Sequence, residues 1–309
     1  MKNSKLKGNF ILLLTSFIWG TSFIAQSKGV EEISPIAFTG IRTMLGSIVL
    51  IPVILFLDRN RKKKNFPVQK VNKTLILGGI ICGLFLCIAS TLQTWGMVYT
   101  SPGKSGFITA LYMVIIPIIG LFTGKKPRPV ILLSVLVAVS GLYLMWIDSE
   151  FFINKGDVLT LICALFFAGH ILAIDYFSPK VDGVKLSCLQ FFVCGLINLI
   201  FMFISKQADT KAIISCIKPI CYSGIMSCGV AYTLQIIGQK YTDPTSASIL
   251  MSLESVFATL STVVLIAFGW QITGGGLDLS EIIGCVLMFI AIILVQLPEK
   301  NKTQNLQFT

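Results

Sequence analysis

The sequence predicts an all-α membrane protein: ten transmembrane helices forming two inverted five-helix repeats around a central cavity. Three observations predict it. Of the 309 residues, 54% are hydrophobic and 13% charged, with a mean hydropathy of +0.83, whereas a soluble domain carries roughly a quarter charged residues. Apolar runs long enough to cross a bilayer, roughly 20 residues each, occur ten times, and a polar block from the first half returns in the second, five spans later.

The runs lie at about 8–27, 35–57, 74–98, 104–123, 129–147, 157–177, 186–205, 219–239, 245–268 and 279–297. Lys2, Lys5 and Lys7 ahead of the first run resemble a signal-peptide start, but the run is about twenty residues long and lacks an A-x-A site, so a retained helix is expected. Only SPG separates the third run from the fourth, and only DPT the eighth from the ninth. Proline and glycine end one helix and begin the next. Pro102 and Pro244 are therefore expected to open helices, and Gly96 and Gly238 to permit close packing and the tight turns that follow.

The formal charge is +11. Its lysines and arginines occupy short loops instead of one amphipathic face, a pattern that sets topology and gives no reason to expect a nucleic-acid partner. Ten spans put both termini on one side. With that side inside, inner segments hold eighteen Lys and Arg, including Arg59 to Lys64, Lys125, Lys126 and Arg128, against six outside. Both termini are expected in the cytoplasm and the chain in the cell membrane. Lys206, Lys211 and Lys218 run against this bias.

The nine cysteines form no CxxC pair and read as small buried hydrophobes. With His170 the one histidine in the chain, a His-based metal site has nothing to be built from. No cofactor, metal or catalytic residue is expected. No G-x-x-x-x-G-K-[ST] loop is present to bind a nucleotide.

At an offset of 142, TLQTWGMVYTSP from Thr91 aligns with TLQIIGQKYTDP from Thr233, and the match runs on to pair Leu111 with Leu253 and Tyr112 with Glu254. The unit contains five spans, an odd number, so the second copy must cross with opposite polarity. Inverted repeats are typical of secondary transporters. The expected division is a first repeat over 1–147, a second over 148–298 and a cytoplasmic tail over 299–309.

LLLTSFIWGTSFIAQ in the first span, Arg42 near the outer end of the second, GFITALYMVIIPIIGLFTG in the fourth and SILMSLESVFATLSTVVLIAFG in the ninth resemble the drug/metabolite transporter superfamily, EamA type. The likeness runs from about residue 8 to 297. Gly124-Lys125 and Gly269-Trp270 depart from the family's common Gly-Glu, and Ser255 stands where proline is frequent. The resemblance implies a ten-helix basket whose cavity is lined by spans 1, 3, 4, 6, 8 and 9, moving organic solutes and often exporting amino acids or related metabolites.

Several residues are candidates for that work. Glu254, nine positions into its span, lies ~13 Å deep. A charge there is costly, so it either faces the cavity, taking a substrate ammonium or a proton, or is a neutral structural glutamate. Tyr112 offers a hydroxyl and a ring at similar depth. Trp19 lies away from the interfacial belt, as cavity wall, cation-π face or core packing. His170, matching Ser22 in the first span and followed by Asp175, is a proton relay or a helix contact. Arg42 pairs with a carboxylate or helix carbonyls, or binds a substrate carboxylate. Gln93 and Gln235, at matched places near opposite faces, latch the two gates in turn or tie helix ends together. The expected function is secondary transport by alternating access, with export favoured over import of a nutrient or vitamin and over a non-transporting sensor or assembly role. Expected partners are a small-molecule substrate, lipid and protons, with the chain a monomer or homodimer.

Overall fold

The computed structural model describes residues 2–122, 124, 128–146, 154–269 and 279–297; Lys125, Lys126, Trp270 and the expected tail over 299–309 lie outside them. No strand occurs among the described residues. The first half comprises α1 (Lys2–Glu32), α2 (Pro35–Lys63), α3 (Lys73–Gly96), α4 (Pro102–Ala110), α5 (Tyr112–Phe122) and α6 (Pro129–Trp146). The second comprises α7 (Lys155–Phe177), α8 (Gly183–Ile204), α9 (Thr210–Ser215), α10 (Ile217–Cys221), α11 (Tyr232–Gln239), α12 (Pro244–Met251), α13 (Glu254–Ala267) and α14 (Leu279–Gln296). Taken alone or joined end to end, they give eight helices long and apolar enough to cross a membrane, and Pro129–Leu144 and Ile282–Val295 are two shorter apolar ones. The protein is thus a ten-helix membrane protein.

The helices begin where short polar side chains take orphan amides. Ser34 accepts from Ala37 N ahead of Pro35, Asn154 and Asp157 form a reciprocal capping box, and Asp182 accepts from Val184 N and Lys185 N. Ser101 and Asp243 cap α4 and α12 immediately before Pro102 and Pro244. Proline at the first helical position loses nothing, because its missing N–H would have no partner there. Both short turns therefore form as their sequences dictate.

Two interruptions were not expected. The fourth span breaks at Leu111, between α4 and α5, and the ninth at Ser252 and Leu253, between α12 and α13. They fall at the same place in the repeat, so Tyr112 and Glu254 are each the first residue of a second half-helix. The eighth span carries a third irregularity, a ten-residue π-helical stretch over Tyr222–Ala231. Broken and π-bulged helices are where transport proteins build binding sites.

Contacts between helix ends show the direction of each half. At one face Thr242 Oγ1 donates to Asn9 Oδ1 at 3.0 Å, Lys240 Nζ to Val181 O at 3.2 Å, and Lys185 Nζ pairs with Asp58 at 2.7 Å. At the other, Ser215 donates to Glu32 at 3.1 Å and Asn154 Nδ2 to Tyr99 O at 3.0 Å. Asn9 puts the start of α1 at the first face, and Asn154 puts the start of α7 at the second. The two halves run in opposite directions, as a five-span repeat requires.

The core lies between the halves. Helix α3 packs on α7 and α8, α2 on α8, and α6 on α14 at the periphery. Large apolar side chains such as Phe10, Phe56, Leu136 and Phe203 point outward and are 62 to 68% exposed, the surface of a protein whose solvent is lipid.

Candidate functional site

A small cavity lies between the halves, with room as it stands for about one water-sized molecule. None of the residues around it is more than 9% exposed. Trp19, Phe23 and Gln26 face it from α1 at i, i+4 and i+7, one stripe of a helix. Phe167 and Ile171 face it from α7, and Ser227, Tyr232 and Gln235 from the π segment and α11. Gln93 of α3, Thr109 and Tyr112 of the fourth span and Glu254 of the ninth complete the wall, with Arg42 of α2. The six spans expected to line the cavity do so, and α2 joins them.

Tyr112 Oη donates to Glu254 Oε1 at 3.0 Å. Because these residues hold the same position in the two repeats, their hydrogen bond bridges the halves at their pseudo-two-fold axis. Glu254 is 4% exposed and Tyr112 2%.

Arg42 is 3% exposed. Its Nη2 donates to Thr94 Oγ1 at 3.3 Å, and its guanidinium lies 5.5 Å from the Phe38 ring centroid. Nε has no partner, and among the described residues no carboxylate forms an ion pair with it. Arginine cannot shed its proton. A buried cation without a counter-anion is costly, yet Glu254 stands in the same cavity wall with Tyr112 as its partner.

Other polar atoms of the wall are also unpartnered. Trp19 Nε1, Gln26 Oε1 and Gln235 Oε1 are buried without hydrogen bonds, and buried polar groups left so call for a reason. Gln93 Nε2, by contrast, donates to Thr109 Oγ1 at 3.1 Å. Gln93 and Gln235 stand near opposite ends of the bundle, and both line the cavity.

His170 is fully buried but stands one layer back. Its Nε2 meets Gln190 Oε1 at 3.0 Å, and its ring lies 6.0 Å from Tyr232 and 6.5 Å from Phe167. It packs behind the wall, against two of its aromatic residues. Gly96 lies against Gly156 and Thr160, and Gly238 against Leu12 and Gly8, so both glycines mark close helix contacts away from the cavity.

Sequence reasoning missed Phe23, Gln26, Thr109, Phe167, Ile171, Ser227 and Tyr232. The 148-residue offset that matches His170 with Ser22 also pairs Trp19 with Phe167 and Phe23 with Ile171, three of the missed residues. Gln26 lies on the Trp19 stripe. Nothing in the sequence announces Ser227, because the π stretch turns it inward.

The sequence profile of the EamA-like transporter family matches the chain twice, over residues 6–147 and 154–297. A protein of Archaeoglobus fulgidus named an uncharacterized transporter is 30% identical over 298 residues, spanning 95% of this chain and 87% of its own. A partial match, 31% identical over 99 residues, covers 32% of this chain and 29% of the S-adenosylmethionine/S-adenosylhomocysteine transporter of Chlamydia muridarum. One solved crystal structure superposes with a TM-score of 0.71 at 17% identity, covering 94% of this chain and 96% of that one, and so shares the fold.

Proposed function

The chain belongs to the EamA-like transporter family, and on that premise we propose that it exports small polar or amphipathic metabolites, amino acids among them, by exposing its cavity to each face in turn. One observation carries the reading: Arg42 and Glu254 wall one buried cavity without pairing with each other. A zwitterion completes both. Its carboxylate neutralises Arg42, whose planar fork suits two parallel hydrogen bonds, and its ammonium goes to Glu254. An apolar side chain packs on Trp19, Phe23 and Tyr232, while Trp19 Nε1, Gln26 and Gln235 take the remaining donors and acceptors.

Glu254 holds either a proton or a substrate ammonium. Competition for that one carboxyl couples solute leaving to protons entering, with no bond made or broken in the solute and no cofactor. The Chlamydia relative is named for two solutes that each carry an α-amino acid head, which supports a cargo of this class. The loop charges favour a cell-membrane protein with both termini in the cytoplasm.

Counterflow of radiolabelled amino acids in proteoliposomes tests the reading. With a solute that exchanges, Glu254→Gln is expected to abolish proton-driven accumulation while leaving exchange that needs at least tenfold more solute, and unchanged uphill transport would remove Glu254 from coupling. Arg42→Gln is expected to raise the half-saturating concentration at least tenfold, the order of effect for losing a buried charge-assisted pair. If no amino acid exchanges, the proposed cargo is wrong.

A further inference from the structure

At each face, a turn of one half grips the first helix of the other. At the second face Thr100, in the turn after α3, donates to Asp157 Oδ1 in the first turn of α7 at 3.0 Å. At the first face Thr242, in the turn after α11, donates to Asn9 Oδ1 of α1, also at 3.0 Å. It is one contact made twice. Thr100 and Thr242 are 142 residues apart, and Asn9 and Asp157 are 148 apart, the separation that also relates Trp19 to Phe167.

Glycines close the same two seams. A Cβ on Gly8 would stand 2.7 Å from Tyr241 Cβ and 3.1 Å from Gly238 O, and one on Gly156 would collide with Gly96 O and lie 2.9 Å from Tyr99 Cβ. In both places backbone meets backbone, so the seam either stays shut or parts as a unit.

The two contacts are unequal. Asp157 also receives Lys104 Nζ at 2.7 Å and Asn154 N at 3.0 Å, and its side chain is 6% exposed, shielded from screening. Asn9 is neutral, and the residue matching Lys104 near it is Ser246. A charge-assisted hydrogen bond is roughly twice as strong as a neutral one.

We propose that Thr100–Asp157 and Thr242–Asn9 are the gate latches of the transport cycle, one for each face, and that the ion pair on Asp157 makes the second-face latch the stronger. The cavity then opens more readily towards the face where α1 begins. This rests on the transport reading above. Both latches are made in this structure, in which the cavity wall is buried throughout. Gln93 and Gln235 lie about two turns inward of Thr100 and Thr242, between latch and cavity centre.

The test uses the full-length chain with its native cysteines replaced and Ser227→Cys in the cavity as reporter. A membrane-impermeant maleimide is applied to intact cells and to inside-out vesicles. Asp157→Asn and Thr100→Val are each expected to raise labelling roughly tenfold from the side on which Lys155 lies, and not from the other. Thr242→Val is expected to raise it about threefold from the opposite side, while Thr100→Ser, which keeps the hydroxyl, should match the parent. A parent labelled from both sides and indifferent to these changes, or a latch variant that opens both sides equally, overturns the latches alone. A reporter that no variant exposes to either side overturns the transport reading with them.

Discussion

Asp182 caps α8 through the amides of Val184 and Lys185 and forms an ion pair with Arg61 at the end of α2. Burial by itself would raise this carboxyl above its ordinary value of 3.8; the Arg61 guanidinium and the two amides together outweigh burial and hold it lower. A carboxyl whose native value is depressed adds stability that is present in full above its unfolded value, about pH 4, and is lost as the pH falls through the native one. Asp182→Asn, which keeps the cap and drops the charge, is expected to cost about 1 kcal/mol near neutrality. In detergent melts the gap from the parent should close below pH 4, and a gap constant down to pH 2.5 would show that the charge is not the cause. Asp182→Ala, losing the cap as well, should cost about 1 kcal/mol more. At this scale the sequence reveals residues that are chemically out of place. Glu254, Arg42, Trp19 and Tyr112 stand out because each is polar or bulky deep in an apolar run, and all four line the cavity. Gln26 did not stand out, because which face of α1 turns inward depends on its packing against α13.

Elements were legible where local chemistry makes them. SPG and DPT carry their own caps and prolines, so both turns and the helix starts after them follow from sequence alone. The breaks at Leu111 and at Ser252 and Leu253 were not legible, since neither site contains proline or glycine. Pro117 lacks the N–H that would bond Met113 O, but its counterpart in the ninth span is Thr259, so proline is not their shared cause. Their common feature is position: each delivers Tyr112 or Glu254 to the axis between the halves, so the interruption belongs to tertiary structure. The peripheral pair α6 and α14 offers a contrasting test. A Cβ on Gly141 would stand 2.7 Å from Gly284 O and 3.1 Å from Met288 N, so Gly141→Leu must push the two helices apart. A cost of about 1–3 kcal/mol is expected, read as a lower melting temperature. Because α6 contributes nothing to the cavity wall, the solute concentration for half-maximal thermal stabilisation should not change, and a severalfold change would show that the periphery sets the cavity's shape.

Inversion relates the two faces of the whole molecule, so a preference for opening to one face must come from where the halves differ. Three of the differences concern ionisable groups: Glu254 against Tyr112, Arg42 against Gln190 at the 148-residue offset, and, at the latches, Asp157 against Asn9. Each puts a carboxyl or a guanidinium in one half and a group neutral at pH 7 at the matching position in the other. The cavity therefore does not have the same electrostatics from its two ends, and a zwitterion seated in it meets unlike surroundings towards the two faces. This asymmetry depends on α1 and α7 entering from opposite faces, which a sidedness experiment checks directly. Lys7, ahead of the first buried stretch of α1, and Lys155, in the first turn of α7, are both exposed and lie outside the cavity and both latches. In a cysteine-free background, Lys7→Cys and Lys155→Cys are expected to react with an impermeant maleimide from opposite sides, Lys155→Cys in intact cells and Lys7→Cys only after lysis. Reaction of both from the same side would overturn the inverted arrangement. If the two instead exchange sides, the halves stay inverted, but the positive loops face outward and the cytoplasmic placement of the termini is overturned.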